Sequence, residues 1–400
     1  MHAVGIRIRQ CSGPDLHLQR SDPRFPFFIP QKRHWTFGTM SEPSPSTRRD
    51  FLTGRAIRSE SMNGQNNPAE EAVSILSVPS RGPTILLRTV AMACDFDVML
   101  NPEGPTVQLE AASESLDLVQ HLEQTLSIYR DDAHLAHVNR SAAESPIEIE
   151  PDLYTLLDQA EQIRHATDGA FDPTAGALVL LWRRCRRENR IPTTNEIETT
   201  LALTGGQHLD FDRSRRTVHF DRFGVQLDLG AIGKGYAVDR AGEHLTTKGV
   251  VNWLVHGGRS SVRSQGKHAG NDGWPVGLRN PLLPDRPFAT FLLRDAALST
   301  SGTAVQWFRH QGKRFGHILD PRTGWPVETM LSVSVIAPDA ALADALSTAF
   351  FVLGVEKARR CCDTFPHVSA IFFPPPRRGR VLEPLLHNVP AGCLFVNDIH

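Results

Sequence analysis

The sequence predicts a folded domain of mixed helix and strand behind a poorly structured N-terminal extension. Three observations carry that expectation. Two amphipathic stretches, Leu116 to about Tyr129 and Leu153–Thr167, repeat apolar residues at helical spacing. Leu209–Phe211 and Thr217–Phe220 flank a polar turn, as a β-hairpin does. Residues 1 to about 80 are rich in Pro, Ser, Arg and Asn, with no sustained periodicity.

Length and composition set the limits. Four hundred residues suffice for one large or two moderate domains with substantial cores. A formal net charge of −1 gives no sign of a polyanionic partner, so nucleic acid is not expected. No run of 18 apolar residues exists, so no membrane span is expected either. The six cysteines form no CxxC pair and no zinc spacing, and they are sparse for a disulfide framework. Free thiols in a reducing, cytoplasmic compartment fit that pattern. Ser46-Thr47-Arg48-Arg49-Asp50-Phe51-Leu52 resembles a twin-arginine export signal, but the following TGRAIRSESMNGQ lacks the required apolar run. Export stays open on the motif, and Met40 is an alternative start.

The folded part is expected to open with a strand, Thr84–Val90, followed by AMACDFDVML. The first amphipathic helix places Leu116, Val119, Leu122, Glu123 and Leu126 at helical intervals, with Tyr129 and Arg130 near its end. The second ends at Asp168-Gly169. In GAFDPTAGALVLLW, Asp172 is suited to an N-cap and Pro173 to a first helical turn. The arginines around Cys185 read as a solvated helix end. After the hairpin, Gln226-Leu227-Asp228-Leu229 leads into GAIGKGYAVDRAGEHL, where three glycines surround Lys234 at an expected strand-to-helix junction. Such a turn can offer backbone N–H groups and an ammonium to a pyrophosphate, although glycines there are common for packing alone. Val250–Val255, Trp274–Leu278 and Thr290–Leu293 read as strands, and Leu298–Gly302 as a small-residue turn. PPPRRGR after Phe373 reads as a linker to a motif-free tail.

The stretch from Phe315 to Gly354 carries the densest chemistry. FGHIL alternates as a strand does, with His317 on it, and Asp320-Pro321 and Thr323-Gly324 close a turn. A helix is expected from about Asp339 to Leu353, capped by Gly354. From Ala340 to Gly354 its only charged residue is Asp344, with Thr348 one turn on. A carboxylate in an apolar helix needs hydrogen bonds or a cation. Two readings are open: a core aspartate satisfied by amides, or an oxygen-ligand pair for a hard cation such as Mg²⁺.

Taken in order, LSIYRDDAHLAHVN, DGAFDPTAGALV, LDLGAIGKGYAVD, HGG with WPVGLRNP, LSTSGTAVQWF, GHILDPRTGWPV and ADALSTAFFVLG resemble the ApbE family of FAD:protein FMN transferases. The likeness covers roughly residues 84–373, leaving 1–80 as an extension and 374–400 as linker and tail. It implies an α+β fold, with antiparallel or mixed sheets and flanking helices. It also implies an enzyme that takes FAD and Mg²⁺, joins FMN through a phosphodiester to a Thr or Ser of an acceptor protein, and releases AMP. Carried to this chain, Asp344, Thr348 and the Gly233 carbonyl match the metal ligands, and His317 the catalytic base. Met92, Tyr129, Ala170, Phe171 and Asp172 match positions that line the flavin and its ribityl or phosphate portion, and Lys234 a position at the pyrophosphate.

Two departures stand out. Where the family usually has Met-Gly-Thr, this chain has Met92-Ala93-Cys94, and where an acid or amide usually follows Gly-Gly, it has Arg259. These motivate two other readings: a flavin-binding accessory protein without catalysis, and an FAD hydrolase giving FMN and AMP.

Overall fold

The computed structural model describes residues 9–10, 79, 82–283, 285–303, 307–376 and 381–396. The chain divides into two compact units, residues 10–76 and the remainder, and only Gln10 of the first is among the described residues. Apart from residues 9–10 and 79, the N-terminal extension, with its twin-arginine-like motif and Met40, thus lies outside what the structure describes. No helix among the described residues is long and apolar enough to cross a membrane.

The fold is α+β, as expected. Strands β1 (Ile85–Ala91), β2 (Cys94–Leu100), β6 (Trp253–Gly257), β7 (Ser261–Gln265), β10 (Ala296–Gly302), β13 (Ser332–Ala337), β14 (Ser369–Phe373) and β15 (Leu385–His387) belong to the central sheet. They lie in the order β15-β14-β13-β10-β7-β6-β2-β1, every pair antiparallel. Helices α1 (Gln108–Leu126), α6 (Gly233–Thr247) and α7 (Ala340–Leu353) cover one face. On the other lies a three-stranded sheet of β8 (Trp274–Arg279), β9 (Pro287–Leu293) and β16 (Leu394–Val396). The inner strands therefore bury both faces and alternate between two cores. Val333, Val335, Ala370 and Phe372 meet the helices, whereas Ile336, Ile371 and Phe373 meet the small sheet.

Further elements surround this framework. They are α2 (His134–Ser141), α3 (Pro151–Ala166), α4 (Gly176–Arg187), α5 (Thr194–Leu201), α8 (Val355–Cys362), a small sheet of β3 (Ile147–Glu148), β5 (Thr217–Phe220) and β4 (Leu209–Asp212), and the hairpin of β11 (Trp307–His310) and β12 (Lys313–Gly316). Trp182 from α4 packs on Phe308 and Phe315 of that hairpin and donates to the Gly324 carbonyl at 2.8 Å. One indole thus ties a helix, a hairpin and a turn together.

Several local expectations change. Helix α1 begins at Gln108, eight residues before Leu116, because Ala111, Ala112 and Ser115 are small enough to pack where larger apolar residues were sought. It stops at Leu126, where the Ser127 hydroxyl accepts from the Tyr129 and Arg130 amides and turns the chain away. Asp172 is no N-cap: α4 starts at Gly176, and Asp172 instead accepts from the Thr174 amide and hydroxyl at 2.8 and 2.6 Å in a local turn. Gln226–Leu229 is extended but forms no strand, making only a bridge between Gln226 and Ala175. The strand expected at Val250–Val255 is shifted to Trp253–Gly257. Leu298–Gly302 is a strand and not a turn, with Ser299 buried and Thr300 and Ser301 half-buried. His317 is not on a strand, since β12 ends at Gly316. Residues 374–400, read as linker and tail, supply β15 and β16.

Helix α7 begins and ends as expected. The Asp339 side chain accepts from the Leu342 amide at 2.8 Å, and Gly354 closes it at φ 72°. A second buried carboxylate secures this end. Asp239 of α6 accepts from the Ala340 and Ala341 amides, both at 2.8 Å, and from Arg263 at 2.7 Å. Burial pushes the Asp239 carboxyl up to about 7, against the downward pull of the guanidinium and the two amides. Within α7, Phe350 and Phe351 are fully buried, each stabilising the fold by about 2–3 kcal/mol.

The β1–β2 turn carries a local cost. Met92 and Ala93 sit at φ 50° and 57°, the left-handed pair that a two-residue hairpin turn needs and that glycine or asparagine fills best. An alanine there costs about 1 kcal/mol. Ala93→Gly is therefore expected to raise unfolding free energy by about 1 kcal/mol, read as a higher urea midpoint with an unchanged slope.

Candidate active site

The site begins where the N-termini of α6 and α7 meet β10. Gly235 permits that meeting. A Cβ there would collide with the Ala340 carbonyl oxygen and lie 2.7 Å from the Ala341 nitrogen, both backbone atoms that cannot swing away. Gly235→Ala is expected to destabilise the protein by about 1–3 kcal/mol and to spread the two helices, lowering the thermal midpoint.

The close approach lets the Gly235 amide donate to Asp344 Oδ2 at 3.1 Å. Oδ1 accepts from the Ser299 hydroxyl at 2.8 Å, and Lys234 Nζ stands 3.7 Å from Oδ2. Asp344 is 4% exposed, yet its partners are one amide, one hydroxyl and a half-buried ammonium that also donates to the Gly230 carbonyl at 3.1 Å. One turn on, Thr348 Oγ1 lies 3.0 Å from the Ser301 hydroxyl, which lies 2.8 Å from that of Ser347. Two residues of strand advance about 6.6 Å and four residues of helix about 6 Å, so the serine pair on β10 matches the Asp344–Thr348 pair on α7.

The β1–β2 turn closes one side. The Met92 amide donates to Glu123 of α1 at 2.9 Å. Cys94 lies where Lys234, Glu123 and Asp344 act on it; burial pushes its thiol up and Lys234 opposes that. A Cβ on Gly258 would meet the Cys94 sulfur at 2.9 Å and Lys234 Cδ at 3.5 Å, so the Gly-Gly loop sits directly over both. Arg259, next in that loop, is exposed at φ 60°, a conformation natural to asparagine or aspartate and costly for arginine.

A cavity of about 500 Å³ lies between α4, the β11–β12 hairpin and the loop after it. Its lining includes Tyr129, Trp182, Arg183, Trp307, Phe315 and His317. The Arg183 guanidinium stacks over Tyr129 at 4.2 Å. Asp228 connects this cavity with the carboxylate–lysine cluster. Burial pushes its carboxyl up, while the Gly230 amide at 2.7 Å and the charges of Arg183 and Lys234 pull it down. Gly316, beside His317, would carry a Cβ 3.1 Å from the Thr303 methyl group, two residues beyond Ser301.

The residues singled out from sequence thus fall into three groups. Asp344 and Lys234 meet at the N-terminus of α6, with Gly233 next to Lys234, Thr348 one turn further along α7 and Met92 in the β1–β2 turn that carries Cys94. Tyr129 and His317 share the adjoining cavity, both exposed. Ala170 and Phe171 are buried in the core at 1% and 3% exposure, and half-buried Asp172 turns inward to Thr174. Sequence reasoning missed Ser299, Ser301, Ser347, Asp228 and Arg183. The alternation of LSTSG, with serines two apart facing a helix whose polar residues are four apart, was the available signal.

The donor set fits a hard cation: one carboxylate, a hydroxyl and main-chain oxygens, with a lysine ammonium already drawn to that carboxylate. No cluster of three or more His, Cys, Asp or Glu side chains accompanies it among the described residues.

The sequence and the helix-flanked antiparallel sheet are similar to those of known proteins. The ApbE family model matches residues 92–372. An FAD:protein FMN transferase of Treponema pallidum is 34% identical over 309 residues, covering 73% of this chain and 85% of that protein. One from Klebsiella pneumoniae is 32% identical over 263 residues, covering 65% and 81%. Among solved structures, the ApbE protein of Thermotoga maritima superposes with a TM-score of 0.66 at 31% identity, covering 73% of this chain and 94% of that one. The flavin transferase ApbE of Vibrio cholerae does so with a TM-score of 0.67 at 24% identity, which speaks to the fold. Fold and relatives define an enzyme of the transferase class. The chain belongs to the ApbE family.

Proposed function

We propose that the protein transfers the FMN half of FAD to a Thr or Ser hydroxyl of an acceptor protein, forming a phosphodiester and releasing AMP. One observation carries this reading. The Asp344–Thr348 pair, backed by Ser299 and Ser301, opens beside Lys234 at the N-terminus of α6 and next to an aromatic cavity holding His317.

The chemistry assigned to each group follows from its place. His317, on an exposed loop that a protein acceptor can reach, takes the proton from the attacking hydroxyl. The acceptor oxygen bonds to the FMN phosphorus, the bond from that phosphorus to the bridging oxygen breaks, and its electron pair departs with AMP. Lys234 and the positive end of the α6 dipole meet the negative charge gathering on the pyrophosphate. Asp344, Thr348 and the Gly233 carbonyl would hold Mg²⁺, which would supply positive charge against the phosphates. Tyr129, with Arg183 behind it, and Met92 flank the flavin ring. Buried Ala170 and Phe171 hold the loop of Asp172 in place beneath its ribityl chain. The five described cysteines are all free, which supports the cytoplasmic reading.

The test uses the full-length protein with FAD, Mg²⁺ and a threonine-bearing acceptor domain, read by in-gel flavin fluorescence and AMP release. Fluorescent acceptor with equimolar AMP is expected, and chelation of the metal by EDTA should abolish both. AMP without labelled acceptor overturns transfer in favour of hydrolysis. Bound, intact FAD overturns catalysis altogether.

A further inference from the structure

We infer that Ser301 and Ser347 form a directed hydroxyl relay that turns the Thr348 hydroxyl into a pure acceptor facing the cation site. This rests on the metal reading of Asp344 and Thr348 above and names two positioning residues for it.

The direction of each bond follows from proton counting. A hydroxyl donates one proton and accepts through two lone pairs, and a carbonyl oxygen only accepts. The Ser347 hydroxyl donates to the Asp344 main-chain carbonyl at 2.9 Å, so its one proton is committed. Ser347 is fully buried, and its remaining contact, Ser301 Oγ at 2.8 Å, must therefore be the donor of that pair. That commits the Ser301 proton. The 3.0 Å contact between Ser301 and Thr348 can then run one way only, with Thr348 donating. The Thr348 proton points back toward β10, and its lone pairs face outward.

This order is what a hydroxyl ligand requires. A threonine binds a cation through oxygen lone pairs, and a proton directed at the cation opposes it electrostatically. Asp344 is fixed in the same manner. Its Oδ1 is held by the Ser299 proton, which a carboxylate can only accept. Ser261 Oγ at 3.4 Å from Ser299 is then the donor in that contact. Two alternate residues of β10 thus orient the two side chains of α7, one by giving a proton and the other by taking one.

Removing Ser347 breaks the direction without touching the site. Ser301, no longer committed, is free to donate to Thr348, and the Thr348 proton can then swing outward. The readout is Mn²⁺ affinity of FAD-loaded full-length protein, followed as free Mn²⁺ by EPR, alongside flavin-fluorescence affinity for FAD without metal. Ser347→Ala and Ser301→Ala should each weaken Mn²⁺ binding about 10–100-fold while leaving metal-free FAD affinity unchanged. Ser301→Thr, which keeps a hydroxyl, should restore most of it, and thermal melts report folding of each variant. Wild-type Mn²⁺ affinity in folded Ser347→Ala and Ser301→Ala would overturn the relay. Absence of Mn²⁺ binding in the unmodified protein would overturn the metal reading beneath it.

Discussion

Asp344→Asn is expected to reduce metal-dependent FMN transfer by about 10²–10³-fold or more, with FAD binding largely retained. The substitution is nearly isosteric, so its effect comes from charge and from donor counting. Asp344 receives the Ser299 hydroxyl on one oxygen and the Gly235 amide on the other, with Lys234 alongside. An asparagine offers a single acceptor oxygen. With that oxygen kept on the Gly235 amide, the NH₂ donates to Ser299, whose hydroxyl must turn from donor to acceptor and no longer anchors a ligand oxygen. The variant should therefore lose both its hold on a cation and some stability. AMP release titrated against Mg²⁺ and a thermal melt separate the two effects. Unchanged turnover at saturating Mg²⁺ would remove Asp344 from the mechanism.

His317→Gln is expected to lower transfer by about 10²–10⁴-fold without weakening FAD binding. Glutamine keeps a polar side chain of similar reach in the cavity but accepts no proton. If His317 is the base, an acid limb is expected in the pH–rate profile of the unmodified enzyme and should vanish in the variant. Loss of FAD affinity instead would make His317 a flavin-binding residue, and an unaltered profile would assign the base elsewhere. The exposed position just after β12 puts the imidazole within reach of a macromolecular substrate.

Much of this was legible in residue order, for identifiable reasons. Helix α7 was readable because Asp339 and Gly354 are strong terminators and Asp344 is chemically isolated between them. The β4–β5 hairpin was readable from its turn. What escaped was set by packing across the chain. LSTSG looks like a turn until it is known that it lies between Ser261 and Val335, with its serines facing α7. Helix α1 hid its first turns behind alanines. Asp172 was a sound N-cap candidate that lost to a local turn with Thr174. His317 was placed on a strand by alternation that the structure ends one residue earlier. The three site groups themselves meet only through tertiary approach, above all the glycine-permitted contact of α6 with α7.

The two short strands after residue 376 have a consequence for how this protein can be handled. β15 pairs with β14 in the central sheet, and β16 pairs with β9 in the small one, both beyond the span of the family model. A chain cut at Phe373 would keep every catalytic candidate yet leave the main-chain donors and acceptors of two apolar strands uncovered at once. Phe372, Phe291 and Ala289 would lie along those bare rims. Such rims recruit other chains, so a minimal catalytic fragment trimmed to the family boundary is expected to self-associate where the longer chain does not.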